Sequence, residues 1–149
     1  MSTAREYFER LCRSGAVSGP VDDGVIAQAE AELDVQFPSE YRDLLENYGA
    51  VLAGGVEVYG LPRAEINDPP LWQNVVSVTK QLRKWGQAGS DRVDFVPICD
   101  DGGGVYFYLD TSVSPKTRIC AVGPGVDKVL TTTALFQFFV DLSEGKVVV

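Results

Sequence analysis

The sequence has no histidine, and among its 149 residues there are only three cysteines, one methionine and two tryptophans. Without histidine, neither a Ser-His-Asp triad nor a Cys-His pair can form within the chain. His-based zinc and iron sites are excluded as well. Cys12, Cys99 and Cys120 stand at no C-x-x-C spacing, which removes a zinc ribbon and a thioredoxin-like redox motif. So odd and sparse a set fits a reducing compartment, where thiols pack as small apolar groups. Long apolar runs are also missing. The longest, Val105 to Leu109, falls far short of the ~20 residues that cross a bilayer. The first ten residues mix both charge signs and have no apolar stretch of the kind a secretory signal needs. Positive charge is scarce: 13 Lys+Arg face 21 Asp+Glu, a net of −8. That sign opposes phosphate binding and argues against nucleic acid as a partner. These absences predict a cytoplasmic protein with no membrane association, no cofactor and no metal.

What remains is an ordinary globular composition, 45% hydrophobic and 23% charged, which is too apolar for a disordered chain. The length suits a single domain over residues 1–149, able to bury roughly two-thirds of its unfolded surface without a staple. The negative charge is concentrated. Residues 22–68 hold eleven acids against Arg42 and Arg63, a net of −9, whereas residues 69–149 balance eight against eight. The whole surplus lies in under a third of the chain.

Hydrophobic periodicity predicts the elements. A first helix over 3–14 carries Ala4, Phe8, Leu11 and Cys12 on one stripe. Asp22-Asp23 open a second, running to about Leu33 with Val25, Ile26, Ala29 and Leu33 inward. Pro38 suits the first turn of a third, whose stripe is Tyr41, Leu44, Leu45 and Tyr48 and which Gly49 ends. Glu40, Asp43 and Glu46 lie off that stripe. The second and third helices either share an acidic surface or splay it, since the crossing angle is not written in the sequence. Val56–Tyr59 reads as a strand, Pro62 with Asp68, Pro69 and Pro70 as a loop, and about Leu71 to Trp85 as a helix with Leu71, Val75, Val78, Leu82 and Trp85 inward. Two β-rich runs, 95–99 and 105–109, flank Asp100-Asp-Gly-Gly-Gly104 and predict a Gly-rich hairpin. Strands follow at 118–122 and 126–130, then a last helix capped by Thr132 or Thr133 with Leu135, Phe136, Phe139 and Leu142 inward. The fold class is α+β: N-terminal helices, a central antiparallel sheet and a closing C-terminal helix.

Three motifs invite chemistry. The Gly-rich turn has no following Lys-Ser/Thr for a phosphate cradle and no alternating ligands for calcium, so it reads as a turn. Asp110-Thr111-Ser112 resembles the strand-end motif of aspartic proteases, but a second copy is absent and Val113 stands where those enzymes use glycine. The acids of 22–68 offer a carboxylate pair in principle, though a charge run is more often a solvated face. For the tryptophans, core packing is the stronger reading of Trp85, while for Trp72 packing and a ligand platform weigh evenly.

The stretch Leu33-Asp-Val-Gln-Phe-Pro-Ser-Glu-Tyr-Arg-Asp-Leu-Leu-Glu-Asn-Tyr-Gly49 is more specific. It resembles the signature of the SUKH superfamily, which groups bacterial immunity proteins with fungal cell-wall-assembly regulators. Pro38 and Tyr41 match its Leu-Pro-x-x-Tyr box, with Phe37 in place of leucine. Gly49 matches its Asn-Gly-Gly turn, with Tyr48 and Ala50 replacing the asparagine and second glycine. Val56–Leu61, the 95–110 hairpin ending on Leu109-Asp110, and Thr133–Phe139 are similar to its later elements, so the likeness spans about residues 22 to 143. It implies an immunity protein, not an enzyme, that binds and neutralises a cognate toxin such as a nuclease, as a monomer or weak homodimer. The acid surplus independently complements a basic partner. The expected contact residues are Asp22, Asp23, Glu30, Asp34, Glu40, Asp43, Glu46 and Glu57, with Trp72 as an aromatic anchor. A scaffold or regulatory module without a toxin, and a small carboxylate hydrolase, are the alternatives.

Overall fold

A computed structural model gives the fold, describing residues 3–63 and 72–149. The elements run α1 (Ala4–Arg13), β1 (Ala16–Val17), α2 (Asp23–Leu33), α3 (Ser39–Tyr48), β2 (Val51–Ala53), β3 (Val56–Val58), α4 (Val75–Trp85), β4 (Phe95–Asp100), β5 (Tyr106–Asp110), β6 (Ile119–Gly123), β7 (Val126–Val129) and α5 (Leu135–Ser143). The class is α+β, as the periodicity predicts. Pro69, Pro70 and the expected helix start at Leu71 lie outside the described residues, as do Glu65 and Asp68.

Two antiparallel sheets form, β1-β2-β3 and the meander β4-β5-β6-β7. They meet at a hydrogen bond from the Tyr59 N–H to the Ile98 carbonyl, 2.8 Å. The side chains of the meander alternate between two faces, and along β4, β5 and β6 both faces are covered. Val105, Phe107 and Leu109 enter the main core, where Phe107 meets Phe138 of α5 edge-on with centroids 5.2 Å apart. On the opposite face Tyr108 packs with Phe95, Cys120 and Val122. The loop after α4 covers that face: the Tyr108 hydroxyl donates to the Ala88 carbonyl at 3.0 Å.

α1 closes the core from the other side. Phe8 is fully buried and lies edge-on to Phe136 (5.1 Å) and Tyr48 (5.2 Å). Thr3 and Glu6 form a capping box at its start. α2 begins on the predicted cap, with Asp22 Oδ1 accepting from the Val25 N–H at 3.0 Å. It ends on Asp34 in the left-handed region, φ 55°, which a short polar side chain tolerates better than most. Ile26, Ala29 and Leu33 face inward as expected, but Val25, beside Ile26 in the first turn, lies off the buried face and is 41% exposed.

α3 carries its predicted stripe: Tyr41, Leu44 and Leu45 are fully buried and Tyr48 is half-buried against the core. Gly49 follows at φ 75°. Its hydrogen faces the Gly19 carbonyl so closely that a Cβ would sit 2.2 Å from that oxygen, so both backbone angle and space demand glycine.

α4 departs from expectation. Its cap is Asn74, whose side chain accepts from the Val76 and Ser77 N–H groups, so the helix starts at Val75. The buried positions are Val75, Thr79 and Leu82, with the Thr79 hydroxyl donating to the Val75 carbonyl at 2.6 Å. Trp85 is 65% exposed and Trp72 only 8%. The expected weighting of the two tryptophans is therefore reversed. Trp85 is the last residue of the helix, before its Gly86 cap.

α5 departs at its start. Neither Thr132 nor Thr133 caps it; Ala134 holds the cap position and makes no side-chain bond there. Five of its nine residues are buried, Phe138 and Val140 among them, so it is a core helix rather than a one-striped one.

Candidate functional site

The family-like box on 37–41 is a structural clasp. Pro38 precedes the first residue of α3 and leaves no N–H unpaired there. The Phe37 ring meets Tyr41 edge-on at 5.1 Å. The Tyr41 hydroxyl donates to the Tyr59 carbonyl at 2.6 Å inside the core, satisfying both groups and pinning α3 beside the sheet junction. Burial pushes the Tyr41 hydroxyl well above its usual range, so it stays a neutral donor. The Phe37 N–H donates to Glu30 Oε2 at 2.7 Å, which fastens the box to α2.

α2 and α3 run side by side in opposite directions. Glu30 of α2 pairs with Arg42 of α3, and Asp23 at the start of α2 reaches both Arg42, at 3.8 Å, and Glu46 near the end of α3. The sequence left open whether the two helices share a surface. At Asp23, Arg42 and Glu46 they do.

The eight candidate acids divide by burial. Glu30, Glu40, Asp43 and Glu57 are half-buried, while Asp22, Asp23, Asp34 and Glu46 are exposed. Each half-buried acid is engaged inside the chain. Glu40 accepts from the Thr117 hydroxyl at 2.7 Å and from the Leu135 N–H at 3.2 Å, so it is the missing cap of α5. Asp43 pairs with Arg5 of α1 and accepts from the Asn47 side chain at 2.7 Å. Glu57 accepts from Gln73 at 3.3 Å. Arg5 also lies 4.8 Å from the Phe136 ring centroid, so Asp43 helps to hold α1 across α3 and α5.

Glu46 is different. Its hydrogen bond to Asp23, and then that neighbour's negative charge, lift the Glu46 carboxyl above the usual carboxylate range. Asp23 has an 82% exposed side chain. Two exposed carboxylates thus stand on this surface, with Arg42 the nearby cation. Further along, Glu30, Asp34 and Arg42 line a shallow cavity of about 520 Å³ with Ala31, Val35 and Gln36. Trp72 is packed into the chain and offers little ring to a visitor.

Two residues that organise this face carried no sequence signal. Arg42 and Arg5 gave no sign of these cross-helix pairings, because the acids concerned stand 12 and 38 residues away. Trp85 did carry one: it shares its helical row with the polar Ser77 and Gln81 at spacings of four.

The other motifs are turns. Asp100 and Asp101 accept from the Gly102, Gly103 and Val105 N–H groups. Asp110 accepts from the Ser112 N–H and hydroxyl and faces Arg118 at 3.3 Å, which ties up the protease-like carboxylate locally. The thiols are buried and unpaired; burial lifts Cys12 to about 12 and Cys120 to about 11. Among the described residues there is no group of three or more Cys, Asp or Glu placed to hold a metal. None of their helices is long and apolar enough to cross a membrane.

Comparison with known proteins agrees with the box. No curated protein matches the chain by sequence. In structure it is similar to a protein from Pseudomonas syringae pv. tomato solved by crystallography, with a TM-score of 0.67 over 93% of this chain and 96% of that one at 15% identity. Such a likeness shows a shared fold. Residues 23–139 match the sequence profile of the family described as SMI1-KNR4 cell-wall. That span runs from the first turn of α2 into α5 and takes in the clasp, the acidic helices and the meander, so the chain belongs to the SMI1-KNR4 (SUKH) family.

Proposed function

We propose that the chain is an immunity protein, which binds and neutralises a cognate bacterial toxin through the acidic face of α2 and α3. The partner is a nuclease or another toxin with a basic substrate groove. The family includes immunity proteins, which supports the reading. The observation that carries it is the pair of exposed carboxylates Asp23 and Glu46 on the adjoining helices α2 and α3, with Asp23 reaching across to Arg42 at 3.8 Å. Like charges gathered on one face repel, and a cation brought against them relieves the repulsion that Arg42 leaves uncompensated. A basic partner supplies that cation, and the field of the surrounding acids speeds encounter. Asp22 and Asp34 extend the face, while Glu30, Glu40, Asp43 and Glu57 shape it from within. The protein acts by binding rather than catalysis, in the cytoplasm, as a monomer or weak homodimer, with no cofactor and no nucleic-acid partner.

The test is co-expression with the adjacent open reading frame, scored for rescue from toxicity and for co-purification. The Asp23→Lys, Glu46→Lys double variant should bind the co-purified toxin at least about tenfold more weakly, with the largest difference at low salt. Failure of the native chain to rescue overturns the immunity reading. Rescue with unchanged affinity in the double variant moves the contact off this face.

A further inference from the structure

α4 keeps one flank out of the core. Ser77, Gln81 and Trp85 recur every fourth residue and align along the helix, while Val75, Thr79 and Leu82 point inward. Facing that flank, beside the junction of the two sheets, stand Tyr59, Asp100 and Tyr106. With Gln73 they complete a cavity of about 270 Å³. Its most prominent wall is the Trp85 ring, 65% exposed.

Among the described residues, the charge in this groove has one sign: Asp100 carries the only charged side chain of the lining, and no cation pairs with it. Its partners are the Tyr59 hydroxyl and the Gly102 N–H. Burial first, and then the Asp100 charge, push the Tyr59 and Tyr106 hydroxyls upward, so both rings stay neutral. Asp101 adjoins Asp100 along the turn, and Glu57 accepts from the lining Gln73 at 3.3 Å. The nearby Arg83 is turned to the Val93 carbonyl at 3.3 Å. A carboxylate thus stands on one side and an exposed aromatic face on the other. Both attract cations, the ring through the negative charge density of its π face. The volume admits a side chain rather than a folded element.

We infer that this groove receives an arginine or lysine side chain of the protein partner, held between the Trp85 ring and the Asp100 carboxylate. The inference rests on the proposal of a basic protein partner, and adds a second contact on the α4 side of the molecule. A scaffold role would use the groove equally well.

The test needs no toxin. A capped Gly-Arg-Gly tripeptide is titrated into the whole protein and followed by the two tryptophan indole N–H resonances in NMR spectra, assigned with Trp85→Phe. The Trp85 resonance should move saturably while that of Trp72 stays in place. The matching citrulline tripeptide keeps the shape but not the charge, and should bind at least about tenfold more weakly. Asp100→Asn still accepts from Gly102 and can donate to the Tyr59 oxygen, yet should weaken the arginine response about as much. An equal response to both tripeptides, or no response of Trp85, overturns the inference. A silent groove together with toxin rescue retires the groove alone. A responsive groove without rescue retires the immunity reading alone.

Discussion

The two ends of α3 put the same side chain to opposite uses. At the first turn, Glu40 turns into the fold and caps α5, with Thr117 as a second donor. At the last turn, Glu46 turns out to solvent, where the neighbouring Asp23 lifts its carboxyl above the usual range. Both glutamates lie off the apolar stripe, and composition treats them alike. The difference teaches that a surplus of charge is not a surface. Part of it is structural and is used up in folding; only the remainder is available to a partner.

Three substitutions sharpen or break this contrast, and the largest effect belongs to Glu40. Glu40→Ala leaves the Leu135 N–H and the Thr117 hydroxyl without their acceptor, and should cost about 2–3 kcal/mol in chemical denaturation. A loss below about 0.5 kcal/mol would place Glu40 with the surface acids and erase the contrast. Tyr41→Phe, on the inner side of the same turn, strips the buried Tyr59 carbonyl of its donor and should cost about 1–2 kcal/mol. If the variant is as stable as the native chain, the clasp is packing alone.

The smallest effect belongs to Glu46→Gln, which should be neutral or stabilising by less than about 0.5 kcal/mol, since the site is open to solvent. Its sign follows from linkage. A carboxyl whose folded pKa is raised favours the folded state while protonated, and that contribution is lost as pH rises through the folded value. Stability of the native chain should therefore gain slightly from this site on acidification into the carboxylate range. The glutamine variant should lack that local gain. An unaltered pH profile in the variant would mean that Asp23 and Glu46 do not interact in solution.

Much of the fold was legible because its signals are local. The stripe of α3, the Asp22 cap, the Gly49 stop and the alternation of 105–109 each depend on neighbours within one turn or one strand. What was hidden depends on distance along the chain. The cap of α5 comes from 95 residues away, so the threonines beside Ala134 looked like the natural choice. α4 offered a false stripe, since Leu82 and Trp85 are three apart whether or not the sheet extends beneath both. The candidate site was legible as a region and not as a set of side chains. Net charge picked out the segment 22–68, but only the packing of α1 and α2 on α3 shows that Arg5 and Arg42 neutralise part of it.

The bond from Glu40 to the start of α5 also bears on the order of assembly. α5 spans nine residues and has no cap of its own, too short and too poorly ended to persist as an isolated helix in water. Its first turn is completed only when α3 is already in place to receive it. The receptor precedes its guest in the chain by 95 residues. A contact of such sequence separation is slow to close. Docking of α5 on α3 is accordingly expected among the later contacts to form.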